Sequence, residues 1–152
     1  MKFSTRTLYG LKAVLALASR FGEGSMAVSQ IAKIEGISTA YLEQILNALK
    51  KKGLVKSVRG PQGGYVVAQK PSDISLEHLF YCMESKAFAG KDGKHSILPD
   101  MNEISIGNVL FWQKLGASIQ NGLSKISLKD LVDEARHIKK AKLRVPATTF
   151  HI

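Results

Sequence analysis

"GLVKSVRGPQGGYVVAQ", residues 53–69, sets two short apolar runs on either side of a tip made of arginine, glycine, proline and glutamine. Apolar, β-branched runs punctuated in this way read as a β-hairpin. Its strands are "LVKSV" and "YVVA", joined by Arg59, Gly60, Pro61, Gln62, Gly63 and Gly64. A two-stranded hairpin this small buries little by itself, so its meaning lies in what precedes it.

Directly upstream, "GISTAYLEQILNALKKKG" (36–53) carries the clearest helical signal of the chain. Leu42, Ile45, Leu46 and Leu49 recur at i, i+3, i+4 and i+7, which is one face of a helix. Ser38 is the expected N-cap, with Ile37 and Leu42 spaced as a hydrophobic staple. Lys50, Lys51 and Lys52 followed by Gly53 mark the stop, because cations suit a helix C-terminus and glycine suits the residue beyond it. The opposite face carries Thr39, Ala40, Glu43, Gln44, Asn47 and Lys51. A short helix over 28–35 precedes it, separated by Gly36, and a first helix is expected over 7–20. Short helix, glycine turn, longer helix with a polar outer face, then hairpin: this order is a winged helix-turn-helix. The expected fold is mostly α with one small β-hairpin.

Charge points to the partner. Through Lys70, Lys plus Arg outnumber Asp plus Glu by 11 to 3, whereas from Pro71 onward the balance is 11 to 9. A positive excess concentrated in one half implies a polyanion, either nucleic acid or an anionic membrane surface; the helix-turn-helix points to double-stranded DNA, and no large apolar face lies beside the lysines for a membrane. The longer helix would enter the major groove. There Gln44 and Asn47 can pair with adenine and Glu43 can accept from the cytosine amine. Arg59 at the wing tip suits a narrow minor groove, Gly60 and Gly63 let the backbone come close to it, and Gln62 is expected to contact DNA beside them. Lys50, Lys51, Lys52 and Lys56 are expected along the same basic surface as Arg59. Thr39 and Ala40, in the first turn of the helix, complete the expected contact set.

Beyond the wing, Ser75 caps a helix with Leu76, Leu79, Phe80 and Met83 on one face. A polar, glycine-containing stretch follows over 85–102, and then a long helix over about 104–123. That helix is apolar on two sides, with Ile106, Val109 and Leu110 on one and Phe111, Trp112, Leu115, Ile119 and Leu123 on the other. Two apolar sides need two things to bury against, and one can be a second copy of the chain. Ser127 opens a last short helix, and "RHIKKAKLRVPATTFHI" reads as a basic, aperiodic tail. The expected organisation is a winged helix-turn-helix domain over 1–83, a flexible sensor-type loop over 84–103, a dimerisation helix and C-terminal helix over 104–135, and a disordered tail over 136–152.

"MKFSTRTLYGLKAVLALA", "QIAKIEGISTAYLEQILNALKKKGLVKSVRGPQGGYVVAQ" and "VLFWQKLGASIQNGLSKISLKDLVDEA" resemble the Rrf-type winged-helix transcription regulators of bacteria. That family includes the iron–sulfur cluster regulator and the nitric-oxide-sensing repressor. The resemblance implies a homodimer whose long helices pair; on the apolar sides of that helix, Val109, Trp112, Leu115 and Ile119 are the expected contacts. The resemblance also implies two winged helices on an imperfect palindrome, and DNA contacts from Ala40, Glu43, Gln44 and Arg59. Cluster-binding relatives carry three cysteines in the loop before the dimer helix. This chain has "KAFAGKDGKHSILPDMN" there, without one. No iron–sulfur cluster and no other cofactor is therefore expected.

The single cysteine, Cys82, follows His78 by four residues on one helix face, which makes the pair a candidate for metal or redox chemistry. The alternative is a small hydrophobe at a packing surface. No nucleophile elbow, Walker lysine or paired-carboxylate motif is present, so no enzyme is expected. No apolar run is long enough for a bilayer and the N-terminus is not a signal peptide, which leaves the cytoplasm as the expected location. Repression is the expected action, since it needs only an occupied operator. Two alternatives are a winged helix used for protein–protein assembly and a regulator controlled by a partner metabolic enzyme docked on the 85–102 stretch and the long helix.

Overall fold

A computed structural model describes residues 4–83 and 103–141. Helix α1 (Thr5–Ser19) starts earlier than its apolar spacing suggests, because the Ser4 hydroxyl accepts from the Thr7 amide at 3.1 Å. Helix α2 (Val28–Glu35) ends on Gly36 in the left-handed conformation, and α3 (Thr39–Lys51) crosses it. Strands β1 (Val55–Val58) and β2 (Gly64–Val67) pair antiparallel with Val55 opposite Val67 and Ser57 opposite Tyr65. A single 3-10 turn (Pro71–Asp73), α4 (Leu76–Met83), α5 (Glu103–Ser124) and α6 (Leu128–Ala141) follow.

The α3 stripe read from the sequence is the centre of the core. Leu42, Ile45, Leu46 and Leu49 are all buried, with Val14, Ile31, Leu54, Val55 and Ile74 around them. Each such side chain contributes about 1.5–3 kcal/mol relative to exposure, whereas one cap contributes about 1 kcal/mol. Burial therefore decides where α3 sits. Its start departs from expectation: Ser38 occupies the N-cap position but its hydroxyl makes no capping hydrogen bond, while Ile37 and Leu42 are both buried as a staple requires. Its end is a Schellman motif. Gly53 (φ 76°) donates to the Lys50 carbonyl at 3.0 Å and Leu54 to Leu49 at 3.1 Å, and the Leu54 and Leu49 side chains are both buried.

The C-terminal part differs more. Helix α6 runs to Ala141, so residues 136–141 are helical and not part of a disordered tail. The reason is visible in the sequence: Leu128, Leu131, Val132 and Ile138 recur on one face, and all four are at least half-buried. Asp130 accepts from both the Ser127 amide and hydroxyl, closing the first turn, and the Arg136 guanidinium donates to the Ser19 carbonyl of α1. Leu76 donates to Ile126 and Leu128 to Ile74, each at 2.8 Å, so α6 completes the core of the winged domain. The expected loop over 84–103 and tail beyond 141 lie outside the described residues, apart from Glu103, which begins α5.

Candidate nucleic-acid interface

The outer surface of α3 is open. Thr39, Ala40, Glu43, Gln44, Asn47 and Lys51 are all exposed, and the buried stripe behind them fixes their direction. Arg59, Gly60 and Gln62 are exposed at the wing tip, while Gly63 is half-buried. Lys51, Lys56 and Arg59 have no ion pair or hydrogen bond among the described residues. These cations are available to an anion.

The wing is held rather than loose. Its inner face, Val55, Ser57, Tyr65 and Val67, alternates with its outer residues Lys56 and Val66. Lys50 Nζ donates to Ser57 Oγ at 2.7 Å and the Tyr65 hydroxyl donates to Asn47 Oδ1 at 3.1 Å, both tying the hairpin to α3. On its other edge β2 meets Met26, which exchanges two backbone hydrogen bonds with Tyr65 at 2.9 and 3.0 Å. Ser25 Oγ donates to the Gln62 carbonyl at the tip.

Three consequences depart from the sequence reading. Lys56 stands on the outer wing face, across the sheet from the residues that meet α3. Of the three lysines ending α3, Lys52 turns away from the wing and donates to the Cys82 carbonyl at 2.6 Å, and Lys50 is engaged by Ser57. Lys51 alone of the three keeps its ammonium uncommitted among the described residues. The glycines at 63 and 64 also have an internal reason. A Cβ at 63 would lie 2.8 Å from the Gly60 and Val58 carbonyl oxygens, and one at 64 would lie 2.2 Å from the Met26 oxygen. Tyr65 itself was not among the expected site residues. Its position opposite α3 follows from strand register, which no local motif marks.

His78 and Cys82 are brought together, with His78 Nε2 3.7 Å from Cys82 Sγ. Burial pushes the Cys82 thiol above its ordinary range, partly opposed by the charge of Lys52. Burial of this kind disfavours the thiolate, which is the reactive form. Alkylation by iodoacetamide at pH 8 is expected to be at least about tenfold slower than for free cysteine, followed by mass spectrometry of the intact chain; equal rates would mean an activated thiol. Among the described residues no three His, Cys, Asp or Glu side chains converge as a metal site.

Helix α5 presents exposed apolar side chains, among them Ile104, Ile106, Val109, Leu110, Phe111 and Leu115. Ile119 is half-buried and, with Leu123, shares a cleft with Phe80 and Tyr81 of α4. The Trp112 side chain lies outside the described residues. No described helix is long and apolar enough to cross a membrane.

Comparison with known proteins agrees with this architecture. Residues 3–134 match the family described as "Rrf2: Iron-dependent Transcriptional regulator". The HTH-type transcriptional regulator IscR of Photorhabdus laumondii is 32% identical over 137 residues, covering 88% of this chain and 80% of that protein. The HTH-type transcriptional regulator CymR of Bacillus subtilis is 31% identical over 131 residues, covering 86% and 89%. Among solved structures, T. potens IscR superposes with a TM-score of 0.71 at 33% identity, covering 99% of this chain and 97% of that one. The structure of B. subtilis CymR, the global cysteine regulator, gives 0.70 at 30% identity, covering 88% and 98%. An iron-dependent family raises the question of a cluster. The donor set does not fit a cysteine-ligated one, since Cys82 is the only cysteine in the chain and its side chain is buried. With the winged helix, its open polar face and these relatives together, the chain belongs to the Rrf2 family of transcriptional regulators.

Proposed function

We propose that this DNA-binding transcription regulator works in the cytoplasm as a homodimer that represses by occupying an imperfect palindrome, without an iron–sulfur cluster. The observation that carries the reading is the open polar face of α3 beside a wing tied to α3 through its inner face, to Met26 along β2 and to Ser25 at its tip, where Arg59 stands exposed. A rigid wing loses little freedom on binding, so its charge adds directly to affinity. Helix α3 supplies Glu43, Gln44 and Asn47 to base edges in the major groove, Thr39 and Ala40 line its entry, and Lys51 meets a phosphate. Arg59 enters the adjoining minor groove with Gly60 and Gln62 beside it. The exposed apolar surface of α5 supports pairing with a second copy, because a surface of that kind marks a protein–protein contact. Half-sites are then spaced by about 10 base pairs or a multiple.

Selection of duplexes from a randomised library, followed by fluorescence anisotropy at several salt concentrations, tests the division of labour. Gln44→Ala is expected to relax preference at one base position by about 1–3 kcal/mol. Lys51→Ala is expected to weaken all sequences alike and to flatten the salt slope by about one unit. Equal losses on selected and random DNA for both variants would remove the assignment.

A further inference from the structure

We infer that Tyr65 is a positioning residue that commits Asn47 to act as a hydrogen-bond donor toward DNA, and so sets which base that position of α3 prefers. The inference rests on the reading of α3 as the groove-facing helix. An asparagine carboxamide presents an acceptor at one end and two N–H donors at the other, and its terminal torsion is broad. Left alone on an exposed helix face, it can turn either end to a base. Asn47 is not left alone. The Tyr65 hydroxyl donates to Oδ1 at 3.1 Å, across eighteen residues of sequence, from a strand whose backbone is bonded to both β1 and Met26.

The atom that the phenol faces is Oδ1, which can only accept, so the hydroxyl is the donor in this pair. Burial, and then the carboxylate of Glu43 one helical turn before Asn47, both push its ionisation upward, so it keeps its proton at neutral pH. Its ring is half-buried and packs against the core. With Oδ1 engaged, Nδ2 and its two donors lie at the far end of the carboxamide from the phenol. Such a group suits base acceptors: guanine O6 and N7, adenine N7 or thymine O4. The two-bond pairing with adenine needs Oδ1 as an acceptor too, and there it must share with Tyr65. The same bond joins the wing to α3, so the wing contributes to base choice through a residue that itself touches no base.

The test uses the full chain and duplexes selected from a randomised library, with wild type, Asn47→Ala, Tyr65→Phe and the double variant compared. Phenylalanine keeps the ring and the backbone pairing to Met26, so the unfolding midpoint is expected to stay within about 4 °C of the parent. Asn47→Ala is expected to relax one position, repeated in both half-sites. Tyr65→Phe is expected to relax that same position about fivefold to tenfold, with affinity for random DNA and the salt slope unchanged. In the double variant, Tyr65→Phe is expected to add nothing further. Asn47→Asp is the second variant: it keeps the acceptor for Tyr65, replaces the outward donors, and is expected to move the preference toward a base that offers an amine. An unchanged Tyr65→Phe profile, a uniform loss on all sequences, or additivity in the double variant would overturn the proposal while Gln44→Ala still supported the groove reading. If neither Gln44→Ala nor Asn47→Ala altered any position, the groove reading would fail with it.

Discussion

Replacing Gly64 by alanine is expected to lower the unfolding midpoint by roughly 6–12 °C, the equivalent of about 3 kcal/mol in a chain of this size. The cause is backbone against backbone. An added Cβ would lie 2.2 Å from the Met26 oxygen, 2.5 Å from its carbonyl carbon and 2.8 Å from the Ala27 nitrogen. No rotamer relieves such a clash, so β2 must move away from the segment before α2. Moving it breaks the paired Met26–Tyr65 hydrogen bonds, at 2.9 and 3.0 Å, and loosens the Ser25 contact at the wing tip. Gly53→Ala is the comparison. Its φ of 76° is costly for a side chain, but nothing lies within 4 Å of the new Cβ. The expected loss there is about 1–2 kcal/mol. Calorimetry on the two variants separates close approach from left-handed strain, and equal losses would mean that the edge contact with Met26 contributes little. Operator affinity should fall in Gly64→Ala beyond what unfolding explains, because a displaced wing carries Arg59 with it.

How much of this was legible in the sequence depends on the range of the interaction. The α3 stripe, the Gly53 stop and the hairpin strands are local patterns, and each appears within about one residue of its expected limits. Leu42, Ile45, Leu46 and Leu49 were readable because helical spacing alone selects them, and the exposed face followed by exclusion. Ser38 marked the right place with an unused hydroxyl, since the buried Ile37–Leu42 pair already fixes the entry of the chain. What could not be read was pairing across the fold. Nothing near Lys52 announces that its ammonium reaches the end of α4, and nothing near Met26 announces a bridge to β2. The assignment of Lys56 to the α3 side treated the hairpin as one surface, whereas the pleat gives it two. For α6 the signal was present and outweighed by charge: Ile138 continues the apolar face through a run of lysines, and lysines are welcome in a last helical turn.

The largest effect on DNA affinity is expected from a substitution that touches no DNA. Val109 and Leu115 of α5 are 42% and 38% exposed in the single chain, so aspartate at both should leave the winged domain folded. In a pair of chains the same positions would place carboxylates in an apolar contact, where an unpaired charge is strongly disfavoured. Sedimentation equilibrium of the double variant is expected to return the mass of one chain. Operator affinity is expected to fall by about 10²–10⁴-fold, because two half-sites held at a fixed distance lose their mutual effective concentration. Affinity for an isolated half-site should change little, since α3 and the wing are intact. That contrast separates a pairing surface from a packing surface: if the variant unfolded, or lost half-site binding in the same proportion, α5 would be supporting the winged domain rather than joining two of them. Its other end already has a partner within the chain, where Ile119 and Leu123 meet α4. Toward Glu103, by contrast, Ile104, Ile106, Val109 and Leu110 are 42–84% exposed. A helix of 22 residues that meets α4 near its C-terminal end and keeps apolar side chains exposed toward its N-terminal end offers a surface that a second copy would cover.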